Sequence, residues 1–133
     1  MIKGENDLHI TLEADYAVRI VEFLASCDSK KDAATISANT KVSLRFSLKI
    51  LRKLVSSGIV RSFKGAKGGY ELNRPPKDIT LRQVIEAVEG PYCISRCVEE
   101  GYLCNHNYCK FNKVYNEISM MVRKKLDEVN FSI

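Results

Sequence analysis

No apolar run in this 133-residue sequence approaches the ~20 residues that a membrane-spanning helix requires. The opening residues, Met1-Ile2-Lys3-Gly4-Glu5-Asn6-Asp7, lack the apolar centre of a signal peptide. Both absences lead us to expect a cytoplasmic protein with no membrane partner. Histidine is scarce, with His9 and His106 the only two. No Ser/His/Asp set and no nucleotide-binding arrangement is visible, so no enzymatic activity is expected. Internal repeats and low-complexity stretches are absent. The most informative gap is local: no Asp or Glu occurs between Thr40 and Tyr70.

That acid-free stretch holds Lys41, Arg45, Lys49, Arg52, Lys53, Arg61, Lys64 and Lys67, hence +8. The whole chain is only +5, so the remainder sums to −3. A long segment of one sign attracts a polyanion through phosphate contacts and counterion release. A solvated basic face with no partner is the plainer alternative.

The periodicity around this stretch predicts mainly helical structure. A first helix runs from about Leu12 to Ser26, with Thr11 as N-cap and Glu13 and Asp15 favoured by the helix dipole. Ala14, Ala17, Val18, Val21, Leu24 and Ala25 form its apolar stripe. After the polar connection Asp28–Asp32, a short helix covers roughly Ala33 to Asn39 and buries Ala34 and Ile36 or their neighbours. Thr40-Lys41-Val42 is a turn, and Ser43 caps a third helix. That helix is expected to bury Leu44, Leu48, Leu51, Leu54 and Val55. Arg45, Lys49, Arg52 and Lys53 lie on its other side, and Gly58 stops it. A short helix, a tight turn and a helix with a basic outer face make a helix-turn-helix pattern.

Ile59–Phe63 and Tyr70–Leu72 read as strands joined by Lys64-Gly65-Ala66-Lys67-Gly68-Gly69, a hairpin with a basic, glycine-rich tip. The loop lacks the Lys-Ser/Thr ending of a nucleotide-binding P-loop and joins two strands. Thr80-Leu81-Arg82-Gln83 fits a capping box and opens a helix carrying Val84, Ile85 and Val88, closed by Gly90-Pro91. Tyr92–Cys109 reads as a loop. From about Lys110 the helical pattern returns with Phe111, Val114, Tyr115, Ile118, Met121, Val122, Leu126 and Val129. So long a stripe is hard to cover within one small chain. Packing against its twin, as a two-fold homodimer, is the expectation, with an intrachain core helix as the alternative. The predicted class is mainly α with a β-hairpin wing. A winged helix-turn-helix DNA-binding domain spans 1–76, and a helix, cysteine-rich sensor loop and dimerisation helix span 77–133.

Five cysteines occur, four of them between Cys93 and Cys109, spaced Cys93-x3-Cys97-x6-Cys104-x4-Cys109. Without a secretion signal, such a group points to metal or redox chemistry rather than structural disulfides. Structural zinc sites usually contain short paired knuckles, and no Cys-x2-Cys is present. Iron–sulphur clusters accept looser, loop-borne spacings. Free thiols without metal, a zinc site and a zinc or iron–sulphur adaptor without DNA binding stay open. Cys27 stands apart and reads as a packing residue.

Several segments together resemble the Rrf2 family of bacterial winged-helix regulators. They are Ile10-Thr11…Asp15-Tyr16-Ala17-Val18-Arg19, Val42-Ser43-Leu44-Arg45-Phe46, Leu51-Arg52-Lys53-Leu54…Gly58-Ile59-Val60, Lys64-Gly65-Ala66-Lys67-Gly68-Gly69-Tyr70, and Ile79-Thr80-Leu81…Val84-Ile85-Glu86-Ala87-Val88-Glu89-Gly90. The family includes an iron–sulphur cluster regulator and a nitric-oxide sensor. The resemblance implies a third helix in the major groove of double-stranded DNA and a wing at the minor groove. Ser43, Arg45, Phe46 and Lys49 would sit on the first turns of that helix. Arg45 and Lys49 would meet guanine edges or phosphates. Lys64 and Lys67 would touch the minor groove or backbone, and Arg52, Lys53 and Arg61 the phosphates. A homodimer would present two heads to a palindromic operator.

Cluster-binding relatives typically carry three cysteines separated by five and five residues. Here Cys97, Cys104 and Cys109 are separated by six and four, over the same span. The cluster regulator's histidine, three residues past the last cysteine, corresponds to Asn112, a poor iron ligand. The nitric-oxide sensor's aspartate, donated from the first helix of the other subunit, corresponds to Asp15. The resemblance therefore implies a cluster, 4Fe–4S in preference to 2Fe–2S, held by Cys97, Cys104, Cys109 and Asp15 of the twin. Cys93 is the alternative fourth ligand, and His106 a weaker one. A cluster-free regulator that senses by thiol oxidation or a partner protein is the alternative function.

Overall fold

The structure, a computed structural model, describes residues 10–93 and 110–133. The chain order is α1 (Leu12–Ala25), α2 (Ala33–Thr40), α3 (Leu44–Ser56), β1 (Val60–Phe63), β2 (Gly69–Leu72), a 3-10 turn (Pro76–Asp78), α4 (Leu81–Glu89) and α5 (Lys110–Asp127).

Each early helix starts where a short polar side chain can accept from a free backbone N–H. Thr11 accepts from the amide of Ala14, Asp32 from Thr35 and Ser43 from Phe46. At α4 both halves of the capping box form: Thr80 accepts from the Gln83 amide, and the Gln83 side chain accepts from the Thr80 amide. Lys41, with φ +58°, sits in the left-handed region and turns the chain between α2 and α3.

One core joins these elements. It contains Ala14, Ala17, Ile20, Val21 and Leu24 of α1, Ile36 of α2, Ile50, Leu51 and Leu54 of α3, Ile59 and Val60 at the wing, and Ile79, Val84, Ile85 and Val88 around α4. Fully burying an aliphatic side chain of this size stabilises by about 1.5–3 kcal/mol. The two-stranded sheet is antiparallel, with Val60 opposite Leu72 and Phe63 opposite Gly69.

Three details of the expected core change. In α1, Ile20 is fully buried, whereas Val18 and Ala25 are only partly so. In α2, Ile36 and Thr40 turn inward and Ala34 is exposed. In α3, Leu44 and Leu48 are exposed, Val55 is half-buried, and the inward face is Ser47, Ile50, Leu51 and Leu54. Ser47 is the cause. It is small enough for close helix approach, and its hydroxyl donates to the carbonyl of Val42 at 3.4 Å.

The C-terminal segment closes onto α4. The Leu81 amide donates to the Val129 carbonyl and the Phe131 amide to that of Pro76. Leu126 and Phe131 pack against the core. Much of the α5 stripe does not: Phe111 is 57% and Met121 69% exposed, with Val114 and Tyr115 also on the surface, while Ile118 and Val122 are half-buried. Among the described residues, no helix is long and apolar enough to cross a membrane.

Candidate nucleic-acid interface

The outer face of α3 carries Arg45, Lys49 and Arg52, all exposed, at spacings of four and three. Leu44 and Leu48 lie among them, and the five residues line one shallow surface depression. Phe46 is also exposed and meets the ring of Tyr16 on α1 edge to face, centroids 6.0 Å apart. Ser43 is committed to capping.

Lys53 points elsewhere. Its Nζ donates to Oε1 of Glu13 at 2.7 Å and to the carbonyl of Val88 at 3.2 Å. Lys49 stands 3.9 Å from the other oxygen of Glu13. One carboxylate on the first turn of α1 thus anchors α3 and leaves Arg45 and Arg52 to the solvent face.

The wing projects Lys64 and Lys67, both exposed. Arg61 pairs with Glu71 across the hairpin at 2.7 Å and lies over the ring of Phe63. Lys30, from the α1–α2 connection, covers the same ring at 4.5 Å and adds a cation at the wing's base. Sequence reasoning missed Lys30, Glu13 and the exposed leucines. None of them left a local signal: Leu44 and Leu48 share helical phase with Leu51 and Val55 as well as with the cations.

The hairpin is held from behind. Tyr70 and Lys31 exchange two backbone hydrogen bonds, of 2.7 and 3.0 Å. Glycine is required there: a Cβ on Gly69 would stand 2.8 Å from the Lys31 carbonyl oxygen, and φ is +153°.

Of the expected cluster ligands, Cys97, Cys104 and Cys109 lie outside the described residues, as does His106. Asp15 lies on the first turn of α1, where its carboxylate pairs with Arg19 at 3.0 Å and stays about half exposed. Cys93 is half-buried, and its Sγ lies 3.2 Å from Nη2 of Arg123, which also donates to the Tyr92 carbonyl at 2.8 Å through Nε. Cys27, just past the end of α1, donates to the Phe23 carbonyl of that helix. Among the described residues, no group of three His, Cys, Asp or Glu side chains could hold a metal ion.

The short helix, left-handed turn, basic outward helix and basic antiparallel hairpin define a winged helix-turn-helix. A profile of the Rrf2 family, described as an iron-dependent transcriptional regulator, matches residues 10–132. The protein aau3 of Rhizobium meliloti (strain 1021) is 33% identical over 95 residues, 71% of this chain and 62% of that protein. The chain thus matches a little under two thirds of that relative's length. The HTH-type transcriptional regulator NsrR of Bacillus subtilis (strain 168) is 26% identical over 109 residues, covering 80% of this chain and 72% of the relative. The structure of T. potens IscR matches with a TM-score of 0.75 at 22% identity, over 96% of this chain and 86% of that one. At that identity the likeness is one of fold. The chain belongs to the Rrf2 family of helix-turn-helix transcriptional regulators.

Proposed function

We propose that this chain binds double-stranded DNA as a homodimer on a palindromic operator, with residues 1–76 as the reading head and 77–133 for sensing and dimerisation. The observation that carries this reading is the exposed cation set on α3 and the wing, Arg45, Lys49, Arg52, Lys64 and Lys67, in a stretch free of acids. Phosphates of a duplex are the natural complement of such a surface. The exposed apolar face of α5 supports the homodimer. The test is binding of the full chain to duplex DNA across a salt series. Affinity should fall steeply with salt, and Arg45→Ala or Lys67→Ala should each flatten the log–log slope by about 0.9 for each phosphate no longer neutralised. Salt-insensitive or absent binding overturns the reading.

For the sensor we propose an iron–sulphur cluster held by Cys97, Cys104, Cys109 and Asp15 of the twin, responsive to redox, nitric oxide or iron–sulphur status. The family profile's description as iron-dependent supports this. Three thiolates and a carboxylate are a donor set that iron accepts, and Asp15 is exposed to a ligand from outside its own protomer. When bound, the cluster would supply redox chemistry and reactivity toward small oxidants. Ligation at Asp15 would tie the cysteine segment to the partner's α1. Two residues away on that helix, Glu13 grips Lys49 and Lys53 of the reading helix. Changed ligation could thereby shift the heads and alter DNA affinity.

An absorption spectrum with iron and sulphide analysis, on protein purified without oxygen, tests this. Broad visible bands with matching iron and acid-labile sulphide are expected, and Asp15→Ala against Cys93→Ala identifies the fourth ligand. Colourless, iron-free protein would move sensing to thiol oxidation, zinc or a partner protein.

A further inference from the structure

Resting on the DNA-binding reading, we propose that Leu44 and Leu48 determine sequence specificity by packing against the C5-methyl groups of two thymines in the major groove. A single leucine on a surface is ordinary. These two, 47% and 41% exposed, are spaced by four on one face of α3 and share a depression with Arg45, Lys49 and Arg52. The result is an apolar strip among cations. Its complement is a surface with anionic edges and an apolar centre. Duplex DNA has that pattern wherever thymine occurs: phosphates border the groove, and thymine carries a methyl group on its major-groove edge.

The dimensions agree. Four residues advance an α-helix by about 6 Å, and a base step along one strand is about 3.4 Å. Two leucines so placed meet thymines about two steps apart. Burying one methyl contributes about four-fold in affinity. The cations would then supply strength that is indifferent to sequence, while the leucines select.

The full chain is first used to enrich duplexes from a randomised pool. Each thymine of the enriched site is then replaced singly by deoxyuridine, which removes only the methyl. About four-fold weaker binding is expected at two positions per half-site, roughly two steps apart. Leu44→Ala should abolish the methyl dependence at one and Leu48→Ala at the other. Both side chains are half exposed, so unchanged unfolding midpoints are expected. Indifference of the wild-type chain to every deoxyuridine overturns the inference, as does methyl dependence that survives both substitutions. A changed oligomeric state of the DNA-free variants, with methyl dependence intact, would make the strip a protein interface instead. If the wild-type chain enriches no duplex, the DNA-binding reading itself fails and takes this inference with it.

Discussion

Nζ of Lys53 lies 2.7 Å from Oε1 of Glu13, so a lysine on α3 is engaged by the first turn of α1. Its second acceptor, the Val88 carbonyl, belongs to α4. Lys53 thus ties three helices together. Lys53→Ala is expected to destabilise the fold modestly, by about 0.5–1 kcal/mol, because the side chain is 37% exposed and the pair is partly screened. The salt dependence of DNA binding should stay as in the wild type, whereas Arg52→Ala should flatten it. Thermal unfolding beside a salt series separates the two residues.

Gly69→Ala should be far more damaging than an ordinary surface change. The new Cβ would press on the Lys31 carbonyl, and the backbone would be held at a φ that L residues avoid. A loss of about 1–3 kcal/mol is expected in chemical denaturation. Gly65→Ala, where φ is +96° but no atom lies near the new methyl, carries only the conformational part and should cost less.

The apolar side of α5 predicts self-association. Met121 is 69% exposed and Val114 48%. A carboxylate placed there should oppose pairing while leaving the protomer's core untouched. Met121→Glu is expected to sediment as a monomer at concentrations where the wild type is a dimer. A wild-type chain that sediments as a monomer, or an unchanged mass in the variant, would remove α5 from the interface.

Asp32 gives a pH prediction. Its carboxylate accepts from the Thr35 amide at the start of α2, which holds it below its ordinary value of 3.8. A depressed folded value means the cap's contribution is present above 3.8 and lost as pH falls through the folded value. Asp32→Ala should therefore unfold at lower temperature than the wild type near neutral pH, and the gap should close well below pH 3.8. A gap that persists in acid would assign the effect to something other than the ionised cap.

The caps, the hairpin and the helix order were legible in the sequence because each has a local signature. Thr11, Ser43 and Thr80 act within three residues of themselves, whereas the cap at Asp32, in a stretch that reads only as a polar connection, emerged with the structure. The inward face of α3 was not legible. Leucines at 44, 48, 51 and 54 offer a convincing stripe, and only packing decides that Ser47 and Ile50 go in while Leu44 and Leu48 stay out. Contacts across long separations were equally hidden. Nothing near Lys53 announces Glu13, forty residues earlier, or the Val88 carbonyl thirty-five residues later. Lys30 lies over Phe63, more than thirty residues away in sequence, next to the bridge between Lys31 and Tyr70.

That pairing between Lys31 and Tyr70 has a kinetic corollary. A wing sutured to the body at its base does not have to be ordered at the moment of encounter. The entropy of fixing its backbone is met during folding, so less is lost on complex formation. Among closely related complexes, such preparation lengthens residence time more than it speeds arrival. Lys64 and Lys67, carried on this hairpin, would govern how long the chain dwells at a site, while the acid-free charge as a whole governs how quickly it gets there.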